Sequence, residues 1–174
     1  MAAMPTLDEL SGRIDALERR VRRAEDYDEL LNLKSRYGAL ADSRYTLQGV
    51  VAQAELERIA RQLSELFSED AVWDGGARLG LAQGREAIYQ RFLEPAMGFT
   101  WHYFVKPRIH VEEDRAHGSW DILAPCTSAE GRALWMAGYE EDEYARVAGR
   151  WLHTRMKLTV VFMASYERGW VPKR

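Results

Sequence analysis

Apolar positions in this chain follow a helical period up to about residue 67 and mostly a strand period beyond it. From Leu7, apolar residues recur at Leu10, Ile14, Leu17, Val21 and Ala24, a narrow stripe at spacings of three and four with charge on the other faces. Thr6 followed by Glu9 predicts a capping box at its start. The stripe has two readings: a helix lying on its own domain, or a coiled-coil-like arm joining subunits, three heptads being marginal for a seam alone. A second helix is predicted over 26–44, burying Leu30, Leu33, Tyr37, Leu40 and Ala41. A third is predicted over 51–67, burying Leu56, Ile59, Leu63, Leu66 and Phe67.

The period then changes. Residues 71–74 read as a short strand broken by Gly75-Gly76, and Gly84 opens a helix from Arg85 to about Phe92. Four long strands are predicted over 99–112, 117–127, 132–146 and 150–166, joined by polar or Gly-containing turns such as Ala148-Gly149. Pro107 should introduce a bulge that resets the alternation beyond it. Helices first and an antiparallel meander last predict an α+β class, a curved sheet wrapped around N-terminal helices. At 174 residues, without a repeat or linker, the chain reads as one domain over 1–174 with residues 6–26 as a helical arm.

Composition narrows the function. Six Trp and eight Tyr are many for this length and suit a cavity for a flat organic ligand. A net charge of −3 with interspersed signs argues against nucleic acid as the partner. No apolar run approaches the roughly 20 residues that span a bilayer. No signal peptide is visible, and the single Cys126 suits a reducing cytoplasm.

The candidate chemistry is a carboxylate, an imidazole and a phenol amid aromatic surface. Asp42 falls near a helix C-terminus, where the macrodipole disfavours negative charge, so it is either solvated or held for a purpose. Tyr37 faces the core, about 140° round the helix from Asp42. His102 is either a packing residue or a base; alternation sets it with Thr100, Phe104 and Lys106, opposite Phe99, Trp101, Tyr103 and Val105. Glu140, Asp142 and Tyr144 share one strand face, as do Trp151, His153 and Arg155. That face is either solvent or the concave wall, bringing a second imidazole and a guanidinium to a cavity. No metal-ligand spacing is present, and His102 and His110 lie about 26 Å apart on an extended strand. The Gly75-to-Gly80 run lacks the dinucleotide fingerprint, and Cys126 in an apolar strand reads as a core thiol. No metal and no cofactor are predicted.

Several segments, in order, carry a resemblance: Leu33-Lys34-Ser35-Arg36-Tyr37 with Asp42, Leu66 to Trp73, Gly84-Arg85-Glu86-Ala87-Ile88, His102 with Pro107-Arg108-Ile109, and Asp142 to Arg146 with Trp151. Together they resemble the SnoaL-like branch of the NTF2-like superfamily, the group of scytalone dehydratase and bile acid 7α-dehydratase. The resemblance implies a cone-shaped α+β barrel around an apolar pocket. In members that are lyases, an Asp at the position of Asp42 orients a His at that of His102. A Tyr at the position of Tyr37 helps, and an Arg on a late strand contributes, for which Arg155 is the match. Lys106 stands where many members carry Asn, and a longer segment after Asp42 reshapes the entrance around Tyr45.

The resulting expectation is a cofactor-independent lyase acting on a hydrophobic aromatic alcohol, with His102 as general base and acid. The group lost is water, or formaldehyde from a hydroxymethyl group, as in lyases of the superfamily that act on lignin-derived diaryl propanes. Tyr37 and Tyr45 would bind a phenol, carbonyl or hydroxyl, and Arg155 or Lys106 would stabilise oxyanion charge. Trp73, Trp101, Tyr103, Phe104 and Trp135 are the candidate walls, although alternation prevents all of them from lining one cavity. The alternatives are an isomerase of the ketosteroid type and a non-catalytic ligand-binding or assembly module. A homo-oligomer is expected, a trimer on the resemblance, with a dimer as the other option.

Overall fold

The computed structural model describes residues 4–171. Its first element, α1 (Leu7–Ser43), is one unbroken helix of 37 residues where two were predicted. Residues 24–28 contain no Gly or Pro, so nothing breaks it there. The capping box is present: Thr6 Oγ1 accepts from the Glu9 N–H at 3.2 Å, and the Glu9 carboxylate accepts from the Thr6 N–H at 2.7 Å. At 100° per residue, the stripe from Leu7 to Ala24 and the one from Leu30 to Ala41 are centred about 170° apart. Only the second meets the rest of the fold. Leu30, Leu33, Tyr37 and Ala41 are buried, while Leu7, Ile14, Leu17 and Val21 are more than half exposed. The first stripe therefore does not lie on its own domain.

A small hairpin of β1 (Tyr45–Thr46) and β2 (Gly49–Val50) leads into α2 (Gln53–Ser64), β3 (Phe67–Asp74), the single turn α3 (Gly76–Leu79), β4 (Leu81–Gln83), α4 (Arg85–Phe92) and β5 (Phe99–Thr100). The meander follows as β6 (Tyr103–Glu112), β7 (Arg115–Thr127), β8 (Ala133–Val147) and β9 (Arg150–Ser165). The sheet runs β4-β3-β9-β8-β7-β5, with β6 sharing the β5 edge of β7. Its pairings are antiparallel except that β3 runs parallel to β9, so the sheet is mixed rather than purely antiparallel. β3 reaches the meander through α4 instead of a hairpin, and its direction is not forced to oppose β9. The Ala148-Gly149 turn has φ of 50° and 77°, the double left-handed geometry of a tight two-residue hairpin, with glycine at the second position.

Three bulges in β6 and β9, beside an irregularity in β3 between Phe67 and Val72, decide which side chains face inward. In β6 one extra residue lies between Val105 and Arg108, where Lys106 has φ 52°, so the alternation resets at Pro107 as expected. In β9, Thr154 is extra between His153 and Arg155, and Val161 is extra between Val160 and Phe162. The concave face packs on α1, α2 and α4 through Leu30, Ile59, Leu63, Phe67, Ile88 and Met156. No helix among the described residues is long and apolar enough to cross a membrane.

Candidate active site

α1 approaches the sheet closely at Gly38, where an added Cβ would lie 3.2 Å from the Phe104 ring. One helical turn further on, Asp42 reaches the connection between β5 and β6. Its two carboxylate oxygens accept the backbone N–H of His102 at 3.0 and 3.1 Å, and Oδ1 lies 2.6 Å from His102 Nδ1. A carboxylate can only accept, so Nδ1 carries the proton and Nε2 of the neutral ring keeps its lone pair. Phe104 stacks on the imidazole with centroids 5.8 Å apart and planes 4° from parallel. The tautomer and the ring plane are both held.

His102 opens onto a cavity of about 100 Å³ inside the cone. Tyr37, Trp73, Phe92, Ile122, Met136 and Leu158 are among its walls, with Tyr45 and the 95–97 segment also lining it. This is small beside ligand pockets of roughly 300 Å³ and more, so a ligand larger than one ring does not fit the cavity in this conformation. A larger depression, about 640 Å³, lies on the opposite sheet face among Arg108, His110, His117, Glu143, Arg155 and Lys157. It is charged and does not include the Asp42–His102 pair.

Tyr37 belongs to the cavity wall, and its hydroxyl accepts a long 3.4 Å bond from Trp73 Nε1. Burial, reinforced by the charge of Glu140, raises its pKa and keeps the phenol protonated. Asp42 need not share Tyr37's helix face, because it stands behind His102 rather than in the cavity lining.

Other sequence expectations are corrected. The Thr154 bulge sets Arg155 on the face opposite His153, where it faces Asp74 at 4.0 Å. Lys106 is exposed and bonds Asp121 at 2.6 Å, because the β6 bulge turns it off the inner face. Trp101 and Tyr103 are about half exposed, on the face opposite Phe104. Trp135, beside inward-facing Met136, likewise points away from the cavity. Phe104 supports His102 from behind and is not part of the lining.

His153 is fully buried against Phe67 and Tyr144, deeper than the cavity. Neither ring nitrogen has a partner, and burial pushes its pKa down to about 3. An unfolded chain would protonate it near 6.5, so the unfolded state binds the extra proton between those values. Stability therefore falls as pH drops through that window. His153→Phe is expected to be more stable than the parent at about pH 7 by roughly 1–2 kcal/mol, through loss of two unsatisfied polar atoms. The gap in urea midpoint should widen at about pH 4.5; a gap that narrows there would contradict this account.

Charged groups that the sequence reading did not single out as site residues complete the surroundings. Glu140 lines the cavity and is 4% exposed. Lys34, fully buried on α1, donates to Glu140 and, at 2.8 Å, to Asp142, which also accepts from the Tyr144 hydroxyl at 2.8 Å. Asp142 Oδ1 is left unpartnered. Burial acts to lower the Lys34 pKa, but the charges and hydrogen bonds of Asp142 and Glu140 outweigh it and leave it raised. Burial also raises Glu140; the Lys34 ammonium opposes this and the Asp142 charge adds to it. Arg44, buried at the end of α1 and donating to Ala41 O at 3.1 Å, brings a guanidinium to the cavity lining. The signal for the triad was available: Glu140 and Asp142 alternate with Tyr144 on one face, and Lys34 adjoins the Leu30, Leu33, Tyr37 stripe. Two inward carboxylates require a buried cation. Among the described residues no group of three His, Cys, Asp or Glu is placed to hold a metal ion.

Helices cupped by a strongly curled sheet define an NTF2-like fold, and solved structures of that shape are similar. A hexachlorocyclohexane dehydrochlorinase, LinA type 2, matches with TM-score 0.71 at 20% identity, over 88% of this chain and 97% of that one. A Novosphingobium aromaticivorans protein described as a scytalone dehydratase matches with TM-score 0.67 at 20% identity, over 83% and 89%. An NTF2-like protein with a cystatin-like fold from the same species matches with TM-score 0.61 at 23% identity, over 91% and 92%. Identities this low speak for the fold alone. The SnoaL-like domain model matches residues 22–157, and the chain belongs to that family. No curated protein sequence matches it.

Proposed function

We propose that this protein is a cofactor-independent lyase that eliminates water or formaldehyde from a hydrophobic aromatic alcohol. The observation that carries this reading is the Asp42–His102 pair, 2.6 Å apart, with His102 in the lining of a largely apolar cavity and Asp42 behind it. With Nδ1–H bound to the carboxylate, Nε2 is the basic nitrogen available to a substrate proton, and the imidazolium formed can return that proton. Tyr37, kept protonated, is a hydrogen-bond donor for a phenol, carbonyl or hydroxyl, and Tyr45 contributes at the lining near Phe99. Arg44 takes the oxyanion-stabilising role expected of Arg155. Names of two similar structures, a dehydrochlorinase and a scytalone dehydratase, support elimination chemistry for this chain as well.

The test is incubation of the purified protein with phenolic diols, hydroxysteroids and polyketide-like alcohols, with products read by mass. Loss of water or of formaldehyde from a phenolic member is expected. Products of unchanged mass would indicate proton migration and overturn the lyase reading in favour of an isomerase.

The exposed α1 stripe also has a role in this proposal: it joins copies of the chain. Leu7, Leu10, Ile14, Leu17 and Val21 keep a and d spacing, on the side of α1 facing away from the cone. Acids and bases of both signs, including Asp15, Glu18, Arg19 and Arg22, flank it, so a second copy offers matching charge. A homo-oligomer is expected by light scattering, a trimer on the family resemblance, and Leu10→Lys with Leu17→Lys should reduce the mass to one chain without unfolding. An unchanged oligomer in that variant would remove the arm from the assembly.

A further inference from the structure

The proposed lyase reading leaves a charge on the cavity wall unexplained. Lys34 serves two buried carboxylates, so the cluster of Lys34, Glu140 and Asp142 carries one negative charge in excess if both are ionised. Burying an uncompensated carboxylate is costly, and taking up one proton removes the excess. The hydrogen bonds say where that proton goes. Asp142 accepts from both Lys34 and Tyr144, whereas Glu140 accepts from Lys34 alone. Glu140 is also the carboxyl that lines the cavity onto which His102 opens. The other titratable or charged groups acting on it or beside it are Tyr37, His102, Tyr144 and, in the same lining, Arg44, whose guanidinium donates to the Ala41 and Phe92 carbonyls and not to Glu140. The two phenols are held protonated, and the nearby imidazole is already committed to Asp42.

We propose that Glu140 is the acid that protonates the departing hydroxyl, while His102 works as the base. Glu140 stands on β8, separated from the β5–β6 connection by β7, so acid and base come from different walls of one cavity. In dehydration, His102 Nε2 takes the C–H proton and the C–H electron pair becomes the new C=C bond. The C–O bond breaks with its pair on oxygen, and the Glu140 proton completes the water. Where formaldehyde is lost with water, His102 takes the hydroxymethyl O–H proton and its pair forms the formaldehyde C=O. The broken C–C bond supplies the C=C pair, and the neighbouring hydroxyl leaves as before with the Glu140 proton. In each case His102 gains one proton and Glu140 gives one up, and exchange with solvent resets both. The rising burial pKa of Glu140 is in keeping with a carboxyl stored in its acid form.

This rests on the lyase reading, and the test separates the two. Glu140→Gln keeps the shape and a hydrogen-bond acceptor for Lys34 but cannot give up a proton. It is assayed against a pair of substrates with one carbon skeleton, one losing hydroxide and one losing chloride, which needs no proton. The variant is expected to lose at least about 100-fold in kcat on the alcohol and to stay within about threefold of the parent on the chloride. Equal losses on both would reduce Glu140 to a structural partner of Lys34 and overturn the proposal. Failure of the lyase reading looks different, as no elimination from either substrate by the parent protein, and it removes Glu140's role with it. A readout independent of turnover is infrared difference spectroscopy of the parent against Glu140→Gln at neutral pH. A protonated-carboxyl band lost in the variant is expected, and an ionised Glu140 would overturn the proposal.

Discussion

His102→Ala is expected to abolish measurable elimination, lowering kcat by about 100-fold to 10,000-fold, the range supplied by a positioned general base. Circular dichroism should show the fold retained, because the ring sits in the cavity wall and its loss leaves space next to existing space. Asp42→Asn tests the other half of the pair. An amide can present its N–H to Nδ1, which would place the imidazole proton on Nε2, the wrong nitrogen for a base. A loss in kcat approaching that of His102→Ala is expected, with KM little changed. Asp42→Asn at parental rate would mean that the carboxylate serves the His102 backbone N–H alone, as a structural cap.

Lys34→Met is expected to produce the largest loss of stability of any single substitution considered, about 3–5 kcal/mol in urea unfolding. Removing the ammonium leaves the Asp142 carboxylate buried without its cation, forced to take up a proton or admit water, and takes from Glu140 its hydrogen-bond donor. The loss should not come from packing, since Met fills much of the Lys34 stem volume against Phe104, over which Nζ sits at 4.4 Å. Adding Glu140→Gln and Asp142→Asn to Lys34→Met should restore most of the stability, because no buried charge is then left unpaired. A Lys34→Met protein within about 1 kcal/mol of the parent would show that the cluster is hydrated and not closed.

How far the sequence could be read depends on which physical signal each part leaves. The α2 face is legible because Leu56, Ile59 and Leu63 repeat at helical spacing, and all are buried. The meander is legible from alternation and turn residues: its last three long strands are found within two residues of their predicted ends, while the first, predicted over 99–112, is broken at 101–102 into β5 and β6. Bulges are different. A bulge at Pro107 has a local cause, but Thr154 has none in its neighbours, and it reverses the side on which Arg155 stands. One extra residue thus moved an expected catalytic guanidinium to the outer face. The Asp42–His102 pair was legible only through the ordered family segments; helix phase and strand alternation alone made each residue ambiguous. Lys34 went unassigned because a lysine on an apolar stripe reads as an edge position unless the inward carboxylates of β8 are considered with it.

The central claim is that the Asp42–His102 pair removes a proton and thereby drives an elimination. Its most direct test is a pH–rate profile of kcat/KM on a converted phenolic alcohol, for the parent and for His102→Ala, with product mass read in the same samples. The account predicts a parental rate that rises with pH, the ascending limb that general-base catalysis requires, with eliminated product throughout. In His102→Ala the limb and the product should both disappear. Eliminated product forming at the parental rate in His102→Ala would contradict the account.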